Sequence, residues 1–230
     1  MTMPGVFITG TDTSVGKTVV AAAILAALRA RGADALPMKP VQTGCAGPSS
    51  DLAHCLQAAD LQIAPADEAL LCPYVFPAAC SPHLAARQAG VTISIRRILD
   101  CAAELQKRGH TVVAEGAGGV LVPLNDNETM LDLMLQLAFP VVVVARPELG
   151  TLNHTLLTLR ALREARLNVE ALFLSERTPR SWGAIEEDNL QTLRRLCAVP
   201  VVARFPHSPG ADSAAATAAV QPVIARLLLT

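Results

Sequence analysis

The chain has 230 residues, of which 51% are hydrophobic and 17% charged, with a formal net charge of −1. That length and apolar share suit a single large α/β core, and the near-neutral balance supplies no basic surplus for nucleic acid. No apolar run reaches the ~20 residues that cross a bilayer, and no basic region followed by a long apolar segment opens the chain, so a cytoplasmic protein with no membrane partner is expected.

The first apolar run, Val6-Phe7-Ile8, reads as a buried strand, and Val19 to Arg31 reads as a helix that Gly32 ends. Between them lies Gly10-Thr11-Asp12-Thr13-Ser14-Val15-Gly16-Lys17-Thr18. Strand, glycine loop, Lys-Thr and helix make a phosphate-binding loop, because successive backbone N–H groups and a helix N-terminus are ready-made donors for an anion. Five residues separate Gly10 from Gly16, one more than the common spacing, which marks a variant of the motif. Lys17 is placed to reach the β- and γ-phosphates, and the Thr18 hydroxyl to serve Mg²⁺.

Ala33 to Met38 reads as a second strand, which Lys39-Pro40 ends because proline cannot donate to a ladder. Val41-Gln42-Thr43-Gly44 and a loop follow. Asp51 opens a helix running from Leu52 to Ala59, and it reads equally as a helix cap or as a carboxylate near a metal. Prolines at 65, 73, 77 and 82 break residues 60–93 into short helices and irregular chain over the sheet's carboxyl edge. Thr92 or Ser94 opens an amphipathic helix from Ile95 to Arg108, closed by Gly109.

His110 to Ala114 is the third strand, running into Glu115-Gly116-Ala117-Gly118-Gly119. A helix over about 129–138 precedes a strand from Pro140 to Ala145, whose four consecutive valines point to burial on both faces. Helices at Thr151 to Arg166, within Ser181 to Cys197, and at Asp212 to Leu229 alternate with strands at Val169 to Leu174 and Val199 to Ala203. This alternation defines a doubly wound, mainly parallel sheet with helices on both faces, in one domain over residues 1–230. Aromatic residues are 3%, so Ala, Val, Leu and Ile must build the core. The six cysteines form no Cys-x-x-Cys pair, and reduced thiols are expected.

Ligands of such sheets bind at the strands' carboxyl ends. Glu115 stands there, where phosphate-loop enzymes keep a metal-directed carboxylate, and the glycines after it allow close backbone approach. Lys39 stands there too, although a lone lysine at a strand end is commonly only solvated. The five histidines lack metal-ligand spacing.

Five segments together resemble the dethiobiotin synthetase family: Gly10 to Thr18, Lys39-Pro-Val-Gln-Thr-Gly44, Ser81-Pro-His-Leu-Ala85, Glu115-Gly-Ala-Gly-Gly119 and Leu149-Gly-Thr-Leu-Asn-His154. The resemblance implies a P-loop enzyme that uses ATP or another nucleoside triphosphate to close 7,8-diaminononanoate with CO₂ into dethiobiotin, through a carbamate and a carbamic–phosphoric anhydride. It implies Lys39 and Lys17 as catalytic groups, with Mg²⁺ on Thr18, Asp51 and Glu115. Nucleotide contacts would come from Ser14, Val15, Gly16, Lys17, Thr18, Val19, Asp51, Glu115, Gly116, Ala117 and Gly118. At the base end they would come from Ser175, Glu176, Pro206, His207 and Ser208. Thr11, Thr43, Gly150 and Asn153 would meet substrate, with a homodimer interface near Gly150 and Asn153 and a further contact near Asn189.

Two positions depart from the family pattern: Ser175 replaces the usual base-reading Asn, and Ser14 stands where Glu is common. A serine hydroxyl cannot make the paired donor–acceptor contact of an amide, which leaves base selectivity open. Two other readings compete. A cobyrinic acid amidation synthetase would need a glutaminase domain for which 230 residues leave no room. A ParA/MinD-like nucleotide switch would carry an early lysine in the phosphate loop, and none stands between Thr11 and Val15.

Overall fold

The computed structural model describes residues 4–176, 178–179, 181–207 and 214–229. Its strands are β1 (Gly5–Gly10), β2 (Ala35–Met38), β3 (Val41–Thr43), β4 (Tyr74–Phe76), β5 (Thr111–Gly119), β6 (Val141–Ala145), β7 (Val169–Ser175) and β8 (Val201–Phe205). Its helices are α1 (Lys17–Ala30), α2 (Ser50–Ala58), α3 (Glu68–Leu71), α4 (Pro82–Gln88), α5 (Ile95–Lys107), α6 (Met130–Leu137), α7 (Thr151–Glu164), α8 (Ala184–Leu196) and α9 (Ala214–Leu227). The expected closing helix begins at Asp212, which lies outside the described residues, as does Ser208.

Six strands form one parallel sheet in the order β2-β5-β1-β6-β7-β8. Alternate residues of each continuous apolar strand enter opposite cores. Phe7, Val141, Val143 and Leu172 face the layer built with α5 to α8, whereas Val6, Ile8, Val142, Val144 and Phe173 face α1 and α9. Helix α1 is buried on several sides, and its alanines at 21, 22, 23 and 27 let it approach both the sheet and α9. Pro37 is tolerated because β2 is an edge strand, paired on one side alone. All six cysteines are free thiols.

Three expectations are corrected. Residues 60–93 contain a strand, β4, which pairs in parallel with β3 as a separate two-stranded sheet. With Pro73 and Pro77 on either side, three residues are too few to show a period. The α2 cap is Ser49, whose hydroxyl accepts the Leu52 N–H at 3.1 Å, so the Asp51 carboxylate is left for other work. Glu115 does not close its strand: β5 runs on to Gly119, and its register with β1 shifts between Ile8/Glu115 and Gly10/Gly119. That irregularity, with Gly118 at φ +68°, bends the glycine run over the sheet's end.

Candidate active site

Four polar groups from three neighbouring elements converge at the carboxyl edge of β1, β2 and β5. Lys17 and Thr18 open α1 directly after β1. Lys39 follows β2, whose Met38 pairs with Ala114, so it arrives beside Glu115 of β5. Glu115 pairs in register with Ile8 and shares the α1 side of the sheet with it. Glu115 Oε1 accepts hydrogen bonds from Thr18 Oγ1 at 2.9 Å and from Lys39 Nζ at 2.7 Å. Lys39 Nζ also meets Asp51 Oδ2 at 2.7 Å, and it lies 3.5 Å from the Gly116 carbonyl. Lys39 and Glu115 are only 5% and 4% exposed.

Burial works against the charge on Lys39, but Glu115 and Asp51 outweigh it and hold its pKa above the ordinary lysine value. Lys17 is the opposite case. Burial first, and then the Lys39 charge, lowers its pKa from 10.5 to about 8. Its ammonium donates to the Asp12 carbonyl at 2.8 Å, within the phosphate loop. The folded chain therefore bears a cation it disfavours at neutral pH. The penalty is fully present below about 8 and is relieved as pH rises toward the unfolded value of 10.5. Lys17→Met is expected to stabilise the nucleotide- and metal-free protein by about 1–3 kcal/mol at pH 7 while abolishing tight nucleotide binding. Thermal melts at pH 7 and pH 10 check this, and the difference between wild type and variant should shrink at the higher pH.

The groups line a cavity of about 450 Å³ with Thr13, Ser14, Gly16, Val19, Val41, Gln42, Thr43, Ala117 and Gly118. Ser14, at φ +54°, and Gly16, at φ +101°, give the loop left-handed turns, the kind of backbone from which anion-binding concavities are built. Val15 itself is fully buried as an apolar anchor of the loop. Asp12 steadies the loop from outside, accepting from Thr13 N at 2.7 Å and from Arg146 Nη2 at 3.0 Å.

The donor set fits Mg²⁺. Among the described residues Glu115 Oε2 is buried without a hydrogen-bond partner, and Thr18, Asp51 and Glu115 bring hard oxygens together. Among the described residues no cluster of three His, Cys, Asp or Glu side chains forms a metal site of its own. Mg²⁺ suits such a place, since it is commonly held by one or two carboxylates together with substrate phosphates. The charge count agrees: two lysines face two carboxylates, so a polyphosphate needs a further cation.

Other expected residues lie apart. Thr11 lines a neighbouring cavity with Arg146, Glu148, Leu149, Thr151, His154 and Thr178, on the side where Gly150 precedes α7. Asn153 is exposed on α7. Ser175 is fully buried beneath Gly16, and its Oγ is without a partner among the described residues. Glu176 is held by Arg204, whose guanidinium lies over Trp182, and its other oxygen receives the His207 N–H at 3.5 Å. Pro206 and His207 are half-buried beyond β8. Asn189 turns inward, donating to the Pro147 carbonyl at 2.9 Å, so in this arrangement it braces the turn before α7. Sequence reasoning gave no role to Gln42, Ser49, Asp12 or Arg146. The first two are buried polar residues that flank Asp51 and Thr43, and polarity at a strand end beside a helix start was the available signal.

A parallel sheet with this loop, two lysines and two carboxylates at its carboxyl edge defines a P-loop nucleotide-dependent enzyme. A family profile described as an AAA domain matches residues 4–215. The ATP-dependent dethiobiotin synthetase of Anaeromyxobacter dehalogenans is 47% identical over 77% of this chain and 78% of its own length. That of Xanthomonas axonopodis pv. citri is 40% identical over 93% and 96%. The chain belongs to the ATP-dependent dethiobiotin synthetase family, and is an ATP-dependent ligase of biotin biosynthesis.

Among solved structures, MinD from Pyrococcus horikoshii superposes with a TM-score of 0.61 at 16% identity, covering 99% of this chain and 96% of that one. MinD from Aquifex aeolicus gives 0.60 at 14%, covering 98% and 97%. At such identities the likeness concerns the fold alone, and it does not carry the switch reading. Among the described residues no helix is long and apolar enough to cross a membrane.

Proposed function

We propose that the cavity between the phosphate loop and β3 joins 7,8-diaminononanoate, CO₂ and ATP. One amine takes up CO₂ as a carbamate, and the carbamate oxygen attacks the γ-phosphorus with loss of ADP. The second amine then attacks the activated carbonyl and expels phosphate, closing the ring. Phosphorylation is needed because a carbamate is a poor acylating agent until its oxygen becomes a leaving group.

The observation that carries this reading is Lys39. It is a buried cation 2.7 Å from each of two carboxylates, on the wall of the same cavity as Lys17 and Thr43. Fixed positive charge on Lys39, with Lys17 on the same wall, stabilises the anionic carbamate and the charge spread over the transferring phosphoryl group. The loop's N–H groups and Lys17 hold the phosphates. Thr18, Asp51 and Glu115 would hold Mg²⁺, which when bound neutralises phosphate charge. Thr43 is placed to position the diamine.

The chain is proposed to act as a single P-loop domain and as a homodimer in the cytoplasm, where six reduced thiols are stable. Leu121 and Leu157, 62% and 58% exposed, line a cavity beside α7, Leu149, 87% exposed, lines the neighbouring one with Arg146, and a second copy would cover them. Phosphate release is expected to require ATP, Mg²⁺, bicarbonate and the diamine together, with one dethiobiotin formed per phosphate. Release indifferent to the diamine would refute the reading.

A further inference from the structure

Gln42 belongs to a motif that the reaction explains only through Lys39 and Thr43. Gln42 is 7% exposed and Ser49 1%, yet both side chains are hydrogen-bonded. Gln42 Oε1 accepts the Ser49 hydroxyl at 2.7 Å, and Gln42 Nε2 donates to the Thr43 carbonyl at 3.1 Å. Ser49 Oγ in turn accepts the Leu52 N–H at 3.1 Å, which starts α2. These bonds form a continuous path from β3 to the first turn of α2, buried from Gln42 to Leu52 and part-buried at Thr43. Thr43 stands at one end of that path. Asp51, 2.7 Å from Lys39, stands at the other.

Asp51 needs such a support. Helix α2 is nine residues long, too short to hold its own first turn. The loop before it, 44–48, is mostly exposed. A carboxylate on a fraying turn would not stay opposite Lys39, and a ligand or counter-ion works only when its own orientation is fixed by the groups behind it.

We propose that Gln42 and Ser49 are positioning residues that lock Asp51 toward Lys39 and the divalent-cation site, and tie that lock to the strand carrying Thr43. The inference rests on the proposed placement of the metal at Thr18, Asp51 and Glu115. Removing either link frees the α2 start, so affinity for the divalent ion falls while metal-free nucleotide binding by the phosphate loop does not.

The test is titration of Mn²⁺ into the full chain with saturating ADP, following free Mn²⁺ by electron paramagnetic resonance. Gln42→Met keeps the volume and Ser49→Ala removes the hydroxyl. Each is expected to weaken Mn²⁺ binding about tenfold, the scale of one lost buried hydrogen bond. The double variant should be no weaker than the worse single one, because both break the same path. Ser49→Thr should bind Mn²⁺ like wild type, and ADP affinity without metal should be unchanged throughout. Melting curves establish that each variant is folded. Should one fail to fold, the other single variant decides, since each breaks the path alone. Wild-type Mn²⁺ affinity in a folded Gln42→Met or Ser49→Ala chain, or fully additive losses, would overturn the relay alone. A wild-type chain that binds no Mn²⁺ with ADP would overturn the metal placement and the relay with it.

Discussion

Lys39→Met is expected to lower the turnover of dethiobiotin formation by about 10²–10³, the usual cost of removing one preorganised electrostatic stabiliser. Methionine fills much the same space, so packing is kept while the charge and its hydrogen bonds to Glu115 and Asp51 are lost. The second effect is on the resting protein. Glu115 keeps the Thr18 donor but loses its cation, and Asp51 loses its ion pair. Breaking a buried pair by removing one partner costs roughly 3–5 kcal/mol, lessened here because the Asp51 side chain is 28% exposed. The free carboxylates then become a better cation site. Added Mg²⁺ should therefore raise the melting temperature of Lys39→Met more than that of wild type. A variant that turns over normally would remove Lys39 from the chemistry. One that melts like wild type and ignores Mg²⁺ would show that the two carboxylates are not balanced by this lysine.

Gly16→Ala should be nearly as damaging, for a reason visible only in the fold. Gly16 sits at φ +101°, a conformation that costs an L-residue about 1–2 kcal/mol. A Cβ built there would lie 2.3 Å from Ser175 Oγ and 3.0 Å from Ser175 Cβ. Either the phosphate loop lifts or the end of β7 moves. Displacement of reacting groups by about 1 Å costs on the order of a hundredfold in rate, so kcat/KM for ATP should fall at least that far. Combining Gly16→Ala with Ser175→Gly removes the steric contact and leaves the backbone strain, so it should recover about tenfold of the loss, the part not owed to φ. No recovery would mean that the loop's conformation, and not the contact with β7, sets the requirement for glycine.

That contact also explains what sequence could and could not reveal. The alternation of apolar runs and helical periods was legible, because a doubly wound sheet writes its burial directly into the chain, as in Val141–Val144. Lys17, Thr18 and Glu115 were legible as candidates too, since a phosphate loop and an acid between an apolar run and a run of glycines are local patterns, although β5 continues past Glu115. The partners of Lys39 were not: Glu115 lies 76 residues away and is brought beside it by the pairing of β2 with β5, and Asp51, 12 residues away, is brought there by the first turn of α2. Ser175 read as a replacement for a base-reading amide, whereas the fold presses it under Gly16, a contact between residues 159 positions apart that no local pattern encodes. The β3–β4 pair escaped for a different reason, since two three-residue strands between prolines leave no periodic trace.

The central claim is that this cavity passes the γ-phosphoryl group to a carbamate. Its most direct test is the fate of oxygen from CO₂, followed in a reaction short enough to precede exchange with water. In the proposed reaction the attacking carbamate oxygen comes from CO₂ and leaves with phosphate when the second amine closes the ring. With C¹⁸O₂, each released phosphate is expected to carry one ¹⁸O and the ring carbonyl of dethiobiotin the other. Dethiobiotin formed beside phosphate that carries no label would contradict the account, because the phosphoryl group would then have gone to water.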